Sequence, residues 1–133
     1  MINYMWKIPE MDDLVELYES VGWRAYTQNL PALEHATKHS TAVLSAYDGN
    51  QLVGLARVLT DETTILYLQD ILVHPKLQRQ GIGKNLIHKV CLQYETIRQK
   101  VLITDDTEKT KQFYESVGFN QLSHFGFIGF YHD

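Results

Sequence analysis

Disulfide bonds, secretion signals and membrane spans find little support in this sequence. The one cysteine, Cys91, excludes an internal disulfide and with it a small secreted scaffold held by cross-links. No apolar stretch approaches the ~20 residues that a membrane-spanning helix needs. Residues 1–7 also lack a charged leader followed by a long apolar run, which is the pattern of a secretory signal. We therefore expect a cytoplasmic protein with no membrane partner.

Positive charge is also scarce. The chain carries 12 Lys and Arg against 16 Asp and Glu, a formal net charge of −4 at pH 7. Binding to a nucleic-acid duplex depends on neutralising its phosphates with an excess of basic side chains, so nucleic acid is excluded as the main partner. With 133 residues, of which 44% are hydrophobic, the sequence predicts a single domain with one core over residues 1–133.

The sequence also lacks a set of residues at the spacing that a metal site needs. The chain has six histidines, and His35 and His39 fall four residues apart on one face of a predicted short helix. No third ligand accompanies them in the sequence. The sequence therefore predicts no metal site.

A strand that turns straight into a helix carries the strongest positive signal. The apolar strand over residues 65–73 is stopped by Pro75, and the chain passes through Gly81 and Gly83 into helical spacing from Ile82. This order aims the unpaired amides of the first helical turn, and the positive end of the helix dipole, at the bend. The glycines leave the backbone open to an anion, and the surrounding charges are all basic. The bend is predicted to bind phosphate.

Two common phosphate-binding motifs do not fit this bend. The kinase-type P-loop would need a glycine at Gln78 and a hydroxyl at Asn85. The dinucleotide fingerprint would need a third glycine at Leu86. The pattern that remains is Gln78-x-x-Gly81-x-Gly83, after a strand that ends Leu-x-Val-x-Pro.

A second signature lies further along the chain, where residues 113–119 read Phe-Tyr-Glu-Ser-Val-Gly-Phe. Together and in this order, the two signatures resemble the GNAT superfamily of acyl-CoA-dependent N-acyltransferases, and the resemblance covers nearly the whole chain. The alternative is that both motifs serve only the fold. The chain departs from the family at Thr107 and Thr110, where many members carry asparagine and alanine. Thr107 is instead predicted to cap the helix that follows.

The resemblance and the patterning together predict an α/β (α+β) fold, with a mixed, mainly antiparallel central sheet and helices on both faces. Three strand-like runs joined by turns predict an antiparallel meander, and the strand after the bend's helix should run parallel to the third of them. The predicted strands span residues 2–8, 41–47, 51–59, 65–73 and 101–104. Aromatic residues from Phe119 onward are predicted to add further strand.

The resemblance implies acetyl-CoA as the acyl donor and no metal. In this family the central strand and its parallel neighbour splay apart, and the pantetheine arm lies between them and bonds the freed backbone groups. The turn holds the pyrophosphate. The residues expected to contact the cofactor are Ile71, Leu72, Val73, Gln78, Arg79, Gln80, Gly81, Ile82, Gly83, Lys84 and Phe113.

Tyr114 is expected to be the general acid, by analogy with the tyrosine at this place in the family's closing helix. A phenol with a pKa of ~10 stays protonated at neutral pH and can give its proton to the departing thiolate. A buried tyrosine bonded to backbone is the alternative.

Asp70 is a candidate general base. It would be a better base if it were buried without a partner, and a structural carboxylate is the alternative. Asp105 and Asp106, after the carboxyl end of a strand, are further candidates, with the start of a helix as the alternative role for both. A neutral amine or a water relay also stays open.

The acceptor side is expected to be lined by Trp23 and Tyr26, from the loop that covers the acceptor in the resembling family, together with Gln69 and Asp105. Plain packing is the alternative for the two aromatic residues.

We expect an N-acetyltransferase that moves an acetyl group to a primary amine of a small molecule by direct transfer in a ternary complex. The alternatives are a non-catalytic acyl-CoA-binding module and a protein-amine acetyltransferase. The aromatic run at residues 125–131 either completes the sheet or covers the partner in a homodimer.

Overall fold

The computed structural model describes all 133 residues, which fall into two units, residues 1–103 and residues 104–133. The first unit holds a five-stranded sheet whose strands lie side by side in chain order. Its strands are β1 (Ile2–Trp6), β2 (Ala42–Asp48), β3 (Gln51–Thr60), β4 (Ile65–Val73) and β5 (Gln99–Leu102). Its helices are α1 (Met11–Ser20), α2 (Arg24–Thr27), α3 (Leu30–Lys38) and α4 (Ile82–Gln93). No helix in the chain is long and apolar enough to cross a bilayer.

The sheet has the predicted mixed topology. β2, β3 and β4 form the antiparallel meander, β1 adds an antiparallel edge beside β2, and β5 runs parallel to β4. The mixed, mainly antiparallel fold class is therefore confirmed. β5 begins at Gln99 and not at residue 101, because its pairing with β4 already starts at Ile65 opposite Gln99. The early aromatic segment, predicted as a loop, contains the single turn of α2.

Helices cover both faces of the sheet in the first unit. Leu17 of α1 and Leu33 of α3 join Leu55 of β3 in one buried cluster. α4 packs on the opposite face, where a Cβ at Gly54 would lie 3.0 Å from Cγ2 of Ile82. Because neighbouring residues of a strand point to opposite faces, the glycine admits α4 close to the sheet while Leu55 packs against α1 and α3.

β4 loses its partner partway along its length. β5 stays beside it only as far as the pair of Leu68 and Leu102. On the other side, the register against β3 skips Gln69, which makes this residue a β-bulge. From the bulge to its end at Val73, β4 has no strand against its β5 side.

The second unit consists of α5 (Glu108–Ser116) and an irregular C-terminal segment with one 3₁₀ turn at Leu122–Phe125. Thr107 caps α5 as predicted, since its hydroxyl accepts from the N–H of Thr110 at 3.2 Å. The prediction of a further strand in the C-terminal segment is wrong, because no strand follows α5. β-prone side chains form a strand only against a partner edge, and this segment pairs with none in the chain.

Candidate active site

The turn between β4 and α4 presents backbone to solvent. Gly81 begins α4 in the left-handed conformation, with a φ of +81°, and no side chain caps the helix. A helix that begins this way keeps its first amide N–H groups unpaired and pointing outward. Arg79 also has a positive φ of +68°, which is uncommon for a residue with a side chain and indicates a constrained turn. The turn thus has the order of strand, glycine bend and helix that the sequence predicts.

Side chains tie this turn to the end of β4. Gln78 donates from Nε2 to the carbonyl of Val73 at 3.2 Å, and Nδ1 of His74 accepts from the N–H of Lys76 at 3.2 Å. Gln78 was predicted to bind the cofactor, and this bond gives its amide a structural role as well. Ile82 is only 2% exposed, so its amide and not its side chain can face a ligand. The exposed side chains of the predicted phosphate contacts are those of Gln78, Arg79, Gln80 and Lys84.

The unpaired part of β4 offers backbone groups at its β5 side. The N–H of His74 donates to the carbonyl of Val53 at 2.8 Å, so the backbone of His74 faces β3. Alternate residues of a strand direct their N–H and C=O groups to opposite edges, so those of Ile71 and Val73 face away from β3. The carbonyl of Val73 accepts from Gln78, but the remaining groups of Ile71 and Val73 meet no strand. Leu72 was predicted to contact the cofactor, yet its backbone faces β3 and its side chain is buried in the core.

A buried group of polar side chains, the Asp70 cluster, lies beside the bulge and consists of Tyr18, Tyr26, Arg57 and Asp70. Arg57 donates from Nε to Oδ2 of Asp70 at 2.9 Å, and the two residues are 5% and 4% exposed. The hydroxyl of Tyr18 donates to Oδ2 at 2.8 Å and that of Tyr26 to Oδ1 at 2.9 Å. The premise that Asp70 is buried without a partner is wrong, because three donors and an opposite charge surround it.

Both phenols of the cluster are held as neutral donors. Burial and the neighbouring charge of Asp70 raise the pKa of Tyr18, and the same two causes raise the pKa of Tyr26. Arg57 also donates to the Tyr26 hydroxyl at 3.1 Å and to Oγ of Ser40 at 3.2 Å. Every buried polar side-chain atom of the chain has a partner. The cluster is therefore charge-balanced and fully hydrogen-bonded.

The residues of the first unit that were predicted to line the acceptor side gather around this cluster. The ring of Tyr26 lies 4.8 Å from that of Tyr18 and 6.3 Å from that of Trp23, measured between centroids. Gln69 places its Nε2 3.5 Å from the Tyr26 hydroxyl. Neighbouring side chains of a regular strand point to opposite faces, but the bulge lets two consecutive ones, Gln69 and Asp70, reach the same hydroxyl.

Two members of the cluster, Tyr18 and Arg57, were not predicted from the sequence. Arg57 is the only charged residue in the buried part of β3, residues 52–58. A buried guanidinium needs a counter-ion, so an arginine in an apolar strand was the available signal for a buried carboxylate opposite it. Tyr18 gave no signal, because its helical spacing indicated only a core position.

In the second unit, Tyr114 lies half-buried on α5 among aromatic rings. The ring of Phe113 is 5.1 Å from it and that of Phe119 is 6.1 Å from it, both edge to face. Burial raises the pKa of Tyr114 to about 12, and a hydrogen bond with Thr104 lowers it to a smaller extent. Tyr114 is therefore a protonated phenol at neutral pH, as the role of a general acid requires.

The remaining candidates in the second unit stand at the start of α5. Asp105 is exposed, and its backbone carbonyl accepts from the hydroxyl of Thr110 at 2.6 Å. Asp106 pairs with Lys111 at 2.8 Å, which lowers the pKa of this carboxyl. These contacts organise the beginning of the helix around Thr107.

The histidines form no cluster suited to a metal. The rings of His35 and His39 stack with centroids 3.9 Å apart, and Nδ1 of His39 is 2.8 Å from the carbonyl oxygen of His35. No group of three or more His, Cys, Asp or Glu side chains is arranged to hold a metal ion.

The sequence was compared with models of protein families and with curated proteins. The model of the acetyltransferase (GNAT) domain matches residues 26–126. An uncharacterized N-acetyltransferase, ycf52 of Porphyra purpurea, is 29% identical over 111 residues, which are 80% of this chain and 63% of that protein. Histone acetyltransferase TAP1 of Glycine max is 33% identical over 118 residues, 80% of this chain and 50% of that protein. The chain thus spans between half and two thirds of the length of these relatives.

Solved structures show the same likeness. A GNAT-family acetyltransferase from Streptococcus pneumoniae TIGR4 superposes with a TM-score of 0.89 at 35% identity, covering 100% of this chain and 98% of that one. The matched family transfers acetyl groups from acetyl-CoA. Together with the family match over most of the chain, this likeness shows that the chain belongs to the GNAT acetyltransferase family.

Proposed function

We propose that this chain is an N-acetyltransferase that moves an acetyl group from acetyl-CoA to a primary amine of a small molecule, directly within a ternary complex. The observation that carries the proposal is the unpaired edge of β4, which is followed in the chain by a 3₁₀ turn at Pro75–Leu77 and then by the glycine turn at the start of α4. Backbone groups freed from a sheet need partners, and the amides of a pantetheine arm offer them. We assign both units to one acetyltransferase domain, because the family match over residues 26–126 includes parts of each unit.

Backbone and side chains hold different parts of acetyl-CoA in this proposal. The free groups of Ile71 and Val73 bond the pantetheine arm and polarise the thioester carbonyl. The amides that follow Gly81 hold the diphosphate at the positive end of α4, and the exposed cations Arg79 and Lys84 add charge. Phe113 of the second unit is a further contact.

The chemistry requires one proton to be given and one to be lost. The amine nitrogen forms a bond to the acetyl carbon, the carbon–sulfur bond breaks, and Tyr114 gives its proton to the thiolate. We propose that the amine attacks in its neutral form and that its surplus proton leaves to water, because Asp70 is already occupied by three donors. Trp23, Tyr26 and Gln69 line the acceptor side, and Asp105 is a further acceptor contact.

The test is isothermal calorimetry with acetyl-CoA, followed by thiol release with an amine panel of phenethylamine, histamine, spermidine and a lysine-containing peptide. Gly81→Ala should weaken acetyl-CoA binding by about tenfold or more, because a side chain at positive φ strains the backbone that receives the diphosphate. Gly49→Ala is the matched control. Gly49 is also left-handed, with a φ of +61°, and at both glycines a Cβ would have no neighbour within 4 Å.

The outcomes separate the candidate functions. Absence of heat with acetyl-CoA would overturn the whole proposal. Binding without thiol release for any amine would favour a non-catalytic acyl-CoA-binding module. Release with the peptide alone would favour a protein-amine acetyltransferase, an alternative that the name of the Glycine max relative also suggests.

We further propose that the C-terminal segment pairs with a second copy of the chain. Phe125, Phe127, Phe130 and Tyr131 are 57%, 61%, 92% and 82% exposed. At about 200 Å² per ring they leave on the order of 600 Å² uncovered, near the ~800 Å² that each partner buries in a standard interface. Residues 117–131 contain no Asp, Glu, Lys or Arg, so two acidic copies meet there without charge repulsion.

Sedimentation velocity tests this homodimer. The wild type should sediment as a dimer and the double variant Phe130→Ser/Tyr131→Ser as a monomer. Leu92→Ser, at an apolar position of α4 that is 71% exposed, should remain dimeric. A monomeric wild type would contradict the proposal.

A further inference from the structure

We infer that the buried ion pair of Arg57 and Asp70 is a positioning device for the acceptor amine, which orients the Tyr26 hydroxyl so that its remaining lone pair accepts an N–H of the amine. The inference rests on the proposed acetyltransferase function and adds the residues that orient the acceptor. Arg57 and Asp70 act through Tyr26, and Asp70 does not take the proton of the amine.

The hydrogen bonds of the Tyr26 oxygen carry this inference. A phenol oxygen has one proton to donate and two lone pairs. The proton goes to Oδ1 of Asp70 at 2.9 Å, and one lone pair receives Nη2 of Arg57 at 3.1 Å. Nε2 of Gln69 approaches the oxygen only to 3.5 Å, the outer limit of a hydrogen bond. An amine N–H can therefore replace the amide of Gln69 at the second lone pair.

The ion pair holds the hydroxyl in one orientation. Hydrogen bonds to ionised groups are about twice as strong as those between neutral groups, and Tyr26 makes one with each member of the pair. Both charged side chains are almost fully buried, so neither is free to rotate toward water. The direction of the remaining lone pair is fixed as a result.

The position of this lone pair fits the proposed acyl donor site. Gln69 is the bulged residue of β4, directly after the last pair of β4 with β5. The Tyr26 oxygen therefore contacts the side chains of the first two residues of the part of β4 to which the proposed function assigns the pantetheine arm. An amine bonded to Tyr26 would bind beside these two residues.

The contacts of Asp70 argue against a role as the base. Its two oxygens accept from Arg57, Tyr18 and Tyr26, all within 2.9 Å. A proton on the carboxylate would disrupt these bonds and leave the buried charge of Arg57 without its counter-ion. The carboxylate is suited to orienting the two phenols and not to accepting a proton.

Two matched variants test the inference. Tyr26→Phe and Tyr18→Phe each remove one hydroxyl that donates to Asp70, but Tyr18 is fully buried in the core and Tyr26 only partly. With the fastest amine of the panel, Tyr26→Phe should raise the KM of the amine about tenfold, the value of one hydrogen bond. The KM of acetyl-CoA should stay within about twofold. Tyr18→Phe should lower the melting temperature but keep both constants within about twofold.

Asp70→Asn tests whether Asp70 takes the proton of the acceptor amine. Asparagine keeps the shape of the side chain and removes its charge, so we expect a higher KM for the amine and an unchanged shape of the kcat profile against pH. The profile is compared with that of the wild type. Loss of the rising limb of the profile together with a large loss of kcat would identify Asp70 as the base and overturn the inference.

The other contradicting outcomes are equally definite. An unchanged KM in Tyr26→Phe, or an equal rise in Tyr18→Phe, would make the Asp70 cluster purely structural. In those cases acetyl-CoA binding and wild-type turnover persist, so the acetyltransferase function survives. A wild type that binds no acetyl-CoA would overturn the function and, with it, this inference.

Discussion

The turn after β4 and the Asp70 cluster are two parts of the first unit built in opposite ways. The turn uses consecutive residues and presents mainly backbone, and it depends on the left-handed conformation of Gly81. The Asp70 cluster collects one side chain from each of α1, α2, β3 and β4, and its members depend on one another through hydrogen bonds of 2.8 to 3.1 Å. The comparison teaches that a backbone site tolerates changes in its side chains, whereas a buried side-chain site does not.

The largest expected effect is on stability and would confirm this difference. Arg57→Met leaves the charge of Asp70 buried without a counter-ion and should lower the free energy of unfolding by about 3–5 kcal/mol. Lys84→Met, in the first helical turn of α4 directly after the glycine bend, removes an exposed cation and should change it by less than about 0.5 kcal/mol. Urea unfolding measures both.

A compensating variant sharpens that result. Arg57→Met combined with Asp70→Leu removes both charges and should recover most of the lost stability, because the cost comes from the unpaired charge. Equal losses of stability in Arg57→Met and Lys84→Met would show that the cluster is as tolerant as the turn.

The next largest expected effect is on turnover, when the hydroxyl of the proposed general acid, Tyr114, is removed. Tyr114→Phe should lower kcat about 100-fold with little change in the KM of acetyl-CoA, because the phenol acts on the leaving thiolate and not on cofactor binding. Steady-state kinetics measure this, with Tyr94→Phe, another half-buried tyrosine, as the control. Unchanged turnover would remove Tyr114 from the mechanism.

The smallest expected effect is a dependence on pH of the contribution that Tyr114 makes to the free energy of unfolding. The pKa of Tyr114 is raised from 10.0 to about 12, so the folded state resists ionisation. The contribution of this residue to stability is therefore complete below pH ~10 and is lost as the pH rises toward 12, by about 1.4 kcal/mol at pH 11. The measurement is the difference in unfolding free energy between the wild type and Tyr114→Phe at pH 9 and pH 11. A difference that does not shrink would contradict the raised pKa.

Sequence patterns predicted those features that depend on neighbouring residues. The bounds of β4, the bend at Gly81 and the cap at Thr107 all follow from local spacing and turn chemistry, and the structure has them where they were predicted. The pattern of β4 also surrounds Asp70 with apolar residues, and Asp70 is buried in the structure. It did not reveal Arg57 as the partner of Asp70, because the pairing of β3 with β4 depends on a register that contains a bulge.

The C-terminal segment shows where sequence patterns fail to predict structure. Its aromatic and β-branched residues favour a strand, but a strand needs an edge to pair with, and composition does not say whether an edge is available. The sequence likewise did not show that the backbone of Leu72 faces β3, since the direction of its backbone groups depends on which neighbour β4 pairs with.

By itself, the sequence determined the order of the five sheet strands, the glycine turn before α4 and the family, because each depends on residues close together in the chain. Only the tertiary structure decided that Asp70 is neutralised by Arg57, that Tyr18 and Tyr26 share it, and that β4 is left unpaired beyond its bulge. The physical reason is that buried charges and strand edges are satisfied by whichever groups the fold brings to them, and those groups lie far apart in the chain.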